Sequence, residues 1–135
     1  MTLIDRLSKL DGPNRRLDHE MHILFFVPDE KKDTVEWNHQ GSYIWRPADG
    51  FINFDTVPAY TASVDAAIAL ARRLWPDVMY RVGNDGEGPD PSLYLGEIFI
   101  PGEQKDSYFT GRSPMDAISL CIAILRAKEA SHDIG

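Results

Sequence analysis

Cysteine is almost missing from this chain: Cys121 stands alone, so no disulfide can form within it. That thiol lies inside the apolar run Ile118 to Leu125, where a cysteine acts as a small buried hydrophobe, and its isolation fits a reducing cytoplasm. No apolar run approaches the roughly 18 to 20 residues that span a bilayer. The opening Met-Thr-Leu-Ile-Asp-Arg has no apolar signal-peptide core. Basic residues are scarce too. The 14 Lys and Arg stand against 21 Asp and Glu, a formal charge of -7, which argues against charge-driven contact with nucleic acid or an anionic membrane and favours basic partners. The expectation is a cytoplasmic protein that binds neither nucleic acid directly nor a membrane.

What is present is the composition of one globular domain: 135 residues, 43% hydrophobic and 26% charged, long enough to bury a core. The acidic excess is local. Asp77, Asp85, Glu87, Asp90, Glu97, Glu103 and Asp106 are opposed only by Arg81 and Lys105 between residues 77 and 106. Such a stretch reads either as a solvated face that keeps the protein in solution or as a docking edge.

Leu3, Ile4, Leu7 and Leu10 recur at helical spacing and end at Asp11-Gly12-Pro13. Leu17, Met21, Leu24 and Phe25 predict a second helix capped by Asn14 and stopped by Pro28. The pattern then changes to strands. Ser42 to Arg46 and Phe51 to Phe54 flank Pro47-Ala-Asp-Gly50, a hairpin signal, and a helix follows Ser63 as far as Trp75. Val78 to Val82 and Leu93 to Ile100 read as two more strands around a turn-rich loop. In the latter both alternation sets are apolar, Leu93, Leu95 and Phe99 against Tyr94, Ile98 and Ile100, as in a strand covered on both faces. Ser113 as cap, Pro114 at the first helical position and Asp116 in the first turn open a last helix, apolar around most of its circumference.

The two later helices start alike. Ser63-Val-Asp-Ala-Ala-Ile-Ala-Leu70 matches Ser113-Pro-Met-Asp-Ala-Ile-Ser-Leu120 at 63/113, 67/117, 68/118 and 70/120, so the order reads α-α, then β-β-α twice. Duplication and coincidence both account for it. The fold expected is α+β: an α/β/α sandwich whose mainly antiparallel sheet has about four strands.

Three segments carry a resemblance: Leu3 to Asp18, with its Gly12-Pro-Asn-Arg15; Val57 to Leu70, with Pro58-Ala-Tyr-Thr-Ala-Ser63; and Ser113 to Arg126, with Ala117-Ile-Ser-Leu-Cys-Ile-Ala123. Together they resemble the phage ABA sandwich proteins, small phage and prophage proteins named for α/β/α layering. The segment Asp18 to Phe54 departs from that pattern, with His19-Glu-Met-His-Ile-Leu-Phe-Phe26 where members carry a plain Ala/Leu-rich helix. The family has no established activity, so the resemblance implies a fold and a phage origin and leaves function open.

Candidate chemistry is thin. His19 and His22 are spaced i, i+3 rather than the i, i+4 of a zinc helix, and a third ligand would have to come from His39 or Asp18; two solvent-facing histidines fit better. Gly83 to Gly88 has neither a Walker Gly-Lys-Ser/Thr nor G-x-G-x-x-G, carries two acids and reads as a mobile hairpin loop. Its acids do not alternate as a calcium loop requires. Nucleophile motifs are missing as well. No catalytic residue, metal ligand or cofactor is assigned. The residues singled out for an interaction surface are Trp37, Tyr43 and Trp45, which alternate with polar neighbours or else pack in the core, and the acids Asp85, Glu87 and Asp90.

The expectation is therefore a non-enzymatic phage or prophage accessory protein that binds a host or phage protein in the host cytoplasm. A sharper form is an anti-defence factor whose acidic edge fills a basic groove. The alternative is a small-ligand or nucleotide-binding module, with or without weak hydrolytic activity. Self-association as a homo-oligomer through an apolar helix is compatible with either.

Overall fold

The computed structural model describes residues 2–26, 35–37, 43–45, 52–53, 57–86, 88, 90, 92–102 and 107–134, with the backbone alone at 35–37, 43–45, 52–53 and 131–134. Its order is α1 (Leu3–Ser8), α2 (Arg15–Phe26), β1 (Val35–Trp37), β2 (Tyr43–Trp45), β3 (Ile52–Asn53), α3 (Val64–Leu74), β4 (Met79–Asn84), β5 (Tyr94–Ile100), β6 (Ser107–Ser113) and α4 (Asp116–Ile134). The α+β class and the antiparallel pairing agree with the sequence. The strand count differs. Among the described residues there are two three-stranded sheets, β1-β2-β3 and β4-β5-β6, rather than one sheet of four, and the repeated order is β-β-β-α. Contacts divide the chain into two compact units, one of residues 14–59 and one of residues 1–13 with 60–135.

In the unit of residues 14–59, Asn14 caps α2: its Oδ1 accepts from the Leu17 amide at 3.0 Å. Arg15 ties the helix start down, reaching Asp18 Oδ2 at 3.3 Å and donating to the Val57 carbonyl. β1 and β2 pair with Trp37 opposite Tyr43 and Val35 opposite Trp45, and β2 continues to β3 through Ile44 and Asn53. The hairpin expected from Ser42 to Phe54 is thus present, although its Pro47–Gly50 turn lies outside the described residues.

The other unit is built around α4. α1 begins with a capping box in which the Thr2 hydroxyl accepts from the Asp5 amide at 3.1 Å and the Asp5 carboxylate accepts from the Thr2 amide at 3.2 Å. Ser63 caps α3 through the Ala66 amide at 3.2 Å. Both helices pack against α4, and α4 packs on β5 and β6. Every residue from Ala117 to Leu125 is buried, in keeping with the broad apolar circumference. Each fully buried Leu or Ile there contributes roughly 1.5–3 kcal/mol. This burial leaves no exposed apolar stripe along that stretch of α4 for self-association.

Two glycines set the distance between sheet and helix. Gly96 and Gly111 stand opposite each other in the β5–β6 register. A Cβ on Gly96 would lie 2.6 Å from the Leu120 amide nitrogen, and one on Gly111 would lie 2.7 Å from Ile122 Cβ. The helix backbone therefore rests directly on the sheet backbone, a separation open only to residues without a side chain. On the same face, Arg72 of α3 donates to the Tyr80 hydroxyl at 2.9 Å with its guanidinium 5.3 Å from the ring centre. Arg126 of α4 donates to the Thr110 carbonyl of β6 at 2.7 Å, capping part of an edge strand.

The start of α4 corrects one expectation. Ser113 is the last residue of β6, and its hydroxyl accepts from the Met115 amide at 3.1 Å, two residues on. The helix starts at Asp116, with the Met115 carbonyl taking the first helical bond from Ser119. Ser63 caps a helix that begins at the next residue, whereas Ser113 closes a turn before one, so the matched serines do different work.

Candidate functional site

Residues 79, 81 and 83 of β4 and 95, 97 and 99 of β5 alternate with those that face α4, and β6 adds 108, 110 and 112. The register sets three rows across this second face: Met79, Phe99 and Tyr108; Arg81, Glu97 and Thr110; Gly83, Leu95 and Arg112. Met79 is 55% exposed and Tyr108 57%, the exposed large hydrophobic residues among those described. Leu95 and Phe99 are half-buried, so the doubly apolar β5 has one face under α4 and the other on this open surface. An open depression of about 380 Å³ is lined by Met79, Tyr80, Arg81, Glu97, Phe99 and Tyr108.

Glu97 organises the charged row. Its Oε2 accepts from Arg81 Nε at 2.5 Å and its Oε1 accepts from the Tyr108 hydroxyl at 2.5 Å, joining all three strands. The Arg81 hydrogen bond holds the Glu97 carboxyl below the usual carboxylate range, helped by Tyr108 and opposed by partial burial. The same bond to Glu97 raises the Tyr108 phenol above its ordinary value.

The two shifts act at opposite ends of the pH scale. The lowered Glu97 contributes stability present above its unfolded value of about 4.3 and lost as pH falls through the lower folded value. The raised Tyr108 contributes stability present below about 10 and lost as pH rises through the higher folded value. Ultraviolet titration of the phenols is expected to show a late step that Tyr108→Phe removes. A late step surviving in that variant would contradict the geometry.

The acids singled out from sequence fare differently. Asp85, expected in a mobile solvated loop, is buried, and its Oδ2 accepts from Arg112 Nε at 2.5 Å. Its amide donates to the Leu93 carbonyl at 3.0 Å, and the Gly88 amide returns to the Asp85 carbonyl at 3.1 Å. A Cβ on Gly88 would meet the Asp85 carboxylate, 2.8 Å from Oδ1, so a larger residue there would displace that side chain. Asp90 is exposed and accepts from the Ser92 hydroxyl at 2.6 Å and amide at 3.0 Å, bonds that hold its carboxyl below the usual range. Glu87 lies outside the described residues, as do the side chains of Trp37, Tyr43 and Trp45, whose backbones occupy β1 and β2.

His19 is 1% exposed, which corrects its placement in solvent, while His22 is half-buried with its ring 4.7 Å from Phe26. Among the described residues no group of three His, Cys, Asp or Glu side chains could hold a metal ion. Cys121 is buried, its thiol donating to the Tyr60 carbonyl at 3.3 Å. No described helix is long and apolar enough to cross a membrane.

Sequence reasoning missed Met79, Tyr108 and the joining of Arg81 to Glu97. Folding the β4 and β5 segments into a hairpin about residues 85–93 would have paired Arg81 with Glu97 and Met79 with Phe99. No protein-family model matches the chain, and no curated protein or solved structure is significantly similar to it.

Proposed function

We propose that this chain is a non-enzymatic accessory protein of phage or prophage, related to the ABA sandwich proteins, that acts in the host cytoplasm by binding another protein. The observation that carries the binding reading is the open face of β4-β5-β6: exposed Met79 and Tyr108 flank Phe99, beside a row already fixed by hydrogen bonds. Apolar anchors on a preorganised surface are what protein interfaces use, because little ordering entropy is lost on contact. A layer laid over this face would complete the α/β/α sandwich that the resemblance implies; in this reading a partner supplies it.

The narrower anti-defence form, resting on the acids near residues 85–90, is weakened by the burial of Asp85 against Arg112. The small-ligand alternative draws on the depression beside Arg81, but a shallow site gives a small molecule less enclosure than binding pockets offer. Affinity capture from a bacterial lysate separates the readings. A protein retained by the native chain is expected to be lost with Met79→Asp and with Tyr108→Asp, and kept with Asp90→Lys. Retention through both face substitutions, or loss with Asp90→Lys alone, would count against the sheet face.

A further inference from the structure

We propose that a second copy of this chain docks on the open face of β4-β5-β6, making it the interface of a symmetric homodimer. The inference rests on reading this face as a protein-binding surface, and names its partner. A two-fold interface must be complementary to itself, so residue i on one copy meets residue j on the other and the reverse. The face meets that condition: Arg81 and Glu97 sit side by side on adjacent strands, with Met79 and Phe99 in the next row. A two-fold axis running along the strands between β4 and β5 puts Arg81 over the partner's Glu97, Met79 over the partner's Phe99, and the converse.

Charge selects the same occupant. Two copies at -7 each repel over most orientations. On this face Arg81 is balanced by Glu97 and Arg112 by Asp85, so the like-charge penalty between two acidic copies is smaller here than where acids are unbalanced. A basic partner would gain more from the acidic surface elsewhere. Arg81 is 80% exposed and gives only its Nε to Glu97 among the described contacts, leaving the rest of the guanidinium for a second carboxylate. Three strands of six or seven residues make a small patch, so the dimer is expected to be a weak one whose population rises with concentration.

The symmetry supplies the test, read by sedimentation velocity of the purified full chain across a concentration series. Arg81→Glu alone sets carboxylate against carboxylate at both symmetric contacts, and Glu97→Arg alone sets guanidinium against guanidinium at the same two places. Each is expected to weaken self-association by more than about tenfold. Mixed together, the two variants pair opposite charges at both contacts and are expected to recover a heterodimer. Met79→Asp, which leaves the charged row intact, is expected to give a monomer, and circular dichroism on each variant separates lost pairing from lost folding. A native chain that is monomeric throughout, a dimer that survives Met79→Asp, or folded charge variants that fail to associate on mixing would overturn the dimer. Lysate capture with Met79→Asp tests the underlying reading separately, since a monomeric chain that still loses its captured protein on that substitution keeps the face and loses only the second copy.

Discussion

Gly111→Ala is expected to lower the free energy of unfolding by about 3 kcal/mol, at the upper end of what overpacking a core costs. The new methyl would point into α4, 2.7 Å from Ile122 Cβ and 2.9 Å from the Ala123 amide nitrogen, and nearer still to the Ser119 carbonyl. Flexible side chains move aside, but helix backbone does not move alone. α4 is buried without a break from Ala117 to Leu125, so shifting it opens its contacts with α1, α3 and the sheet together. Gly96→Ala faces the same obstacle at the Leu120 amide nitrogen. The double variant is expected to cost less than the sum, because the first methyl already lifts the helix away from the second. Urea denaturation monitored by circular dichroism gives these values, and a midpoint near the native one for Gly111→Ala would mean that α4 stands farther from the sheet than described.

Arg112→Ala is the second large effect, expected at about 2 kcal/mol. Breaking a fully buried ion pair by removing one partner costs roughly 3–5 kcal/mol, and the figure is reduced here because the Arg112 side chain is 45% exposed. What remains is the Asp85 carboxylate, 7% exposed, held against Gly88 without its guanidinium. The hairpin between β4 and β5 turns on that residue, so amide exchange at Asp85, Gly88 and Leu93 is expected to quicken before the rest of the sheet responds. A cost of about 0.5 kcal/mol or less, the range of ordinary surface changes, would show the pair to be incidental. The functional corollary is that substituting Asp85 acts on the hairpin first and on any partner only through it.

The helices were legible in the sequence because their periods and caps are strong. α3 runs from Val64 to Leu74 against an expected Ser63 to Trp75, and Asn14 caps α2 as read. β6 was missed for a physical reason. Its inward positions, Phe109, Gly111 and Ser113, hold one large apolar side chain, because α4 sits so close that glycine is required, and the alternation that marks a strand is erased. β1 has three residues, too few for any period. Without β6, Tyr108 had no place on a surface, and the open face could not be assembled. The apolar Leu95 and Phe99 then looked like a second buried side of β5, whereas they floor an exposed platform with Met79 and Tyr108. Asp85 and His19 were placed in solvent because their types favour it, and burial beside a cation or in a helix face is a tertiary outcome.

Photo-crosslinking from position 79 tests most directly whether the open sheet face is where this protein meets others. A photoreactive residue replaces Met79 in one sample and Ser92, exposed on the hairpin loop, in another, and both are irradiated in a bacterial lysate and as purified chain. Discrete adducts from position 79, including one of twice the chain mass, with none from position 92, are the result this account predicts. Adducts from position 92 alone, or none from position 79 at concentrations where the chain associates, would contradict it.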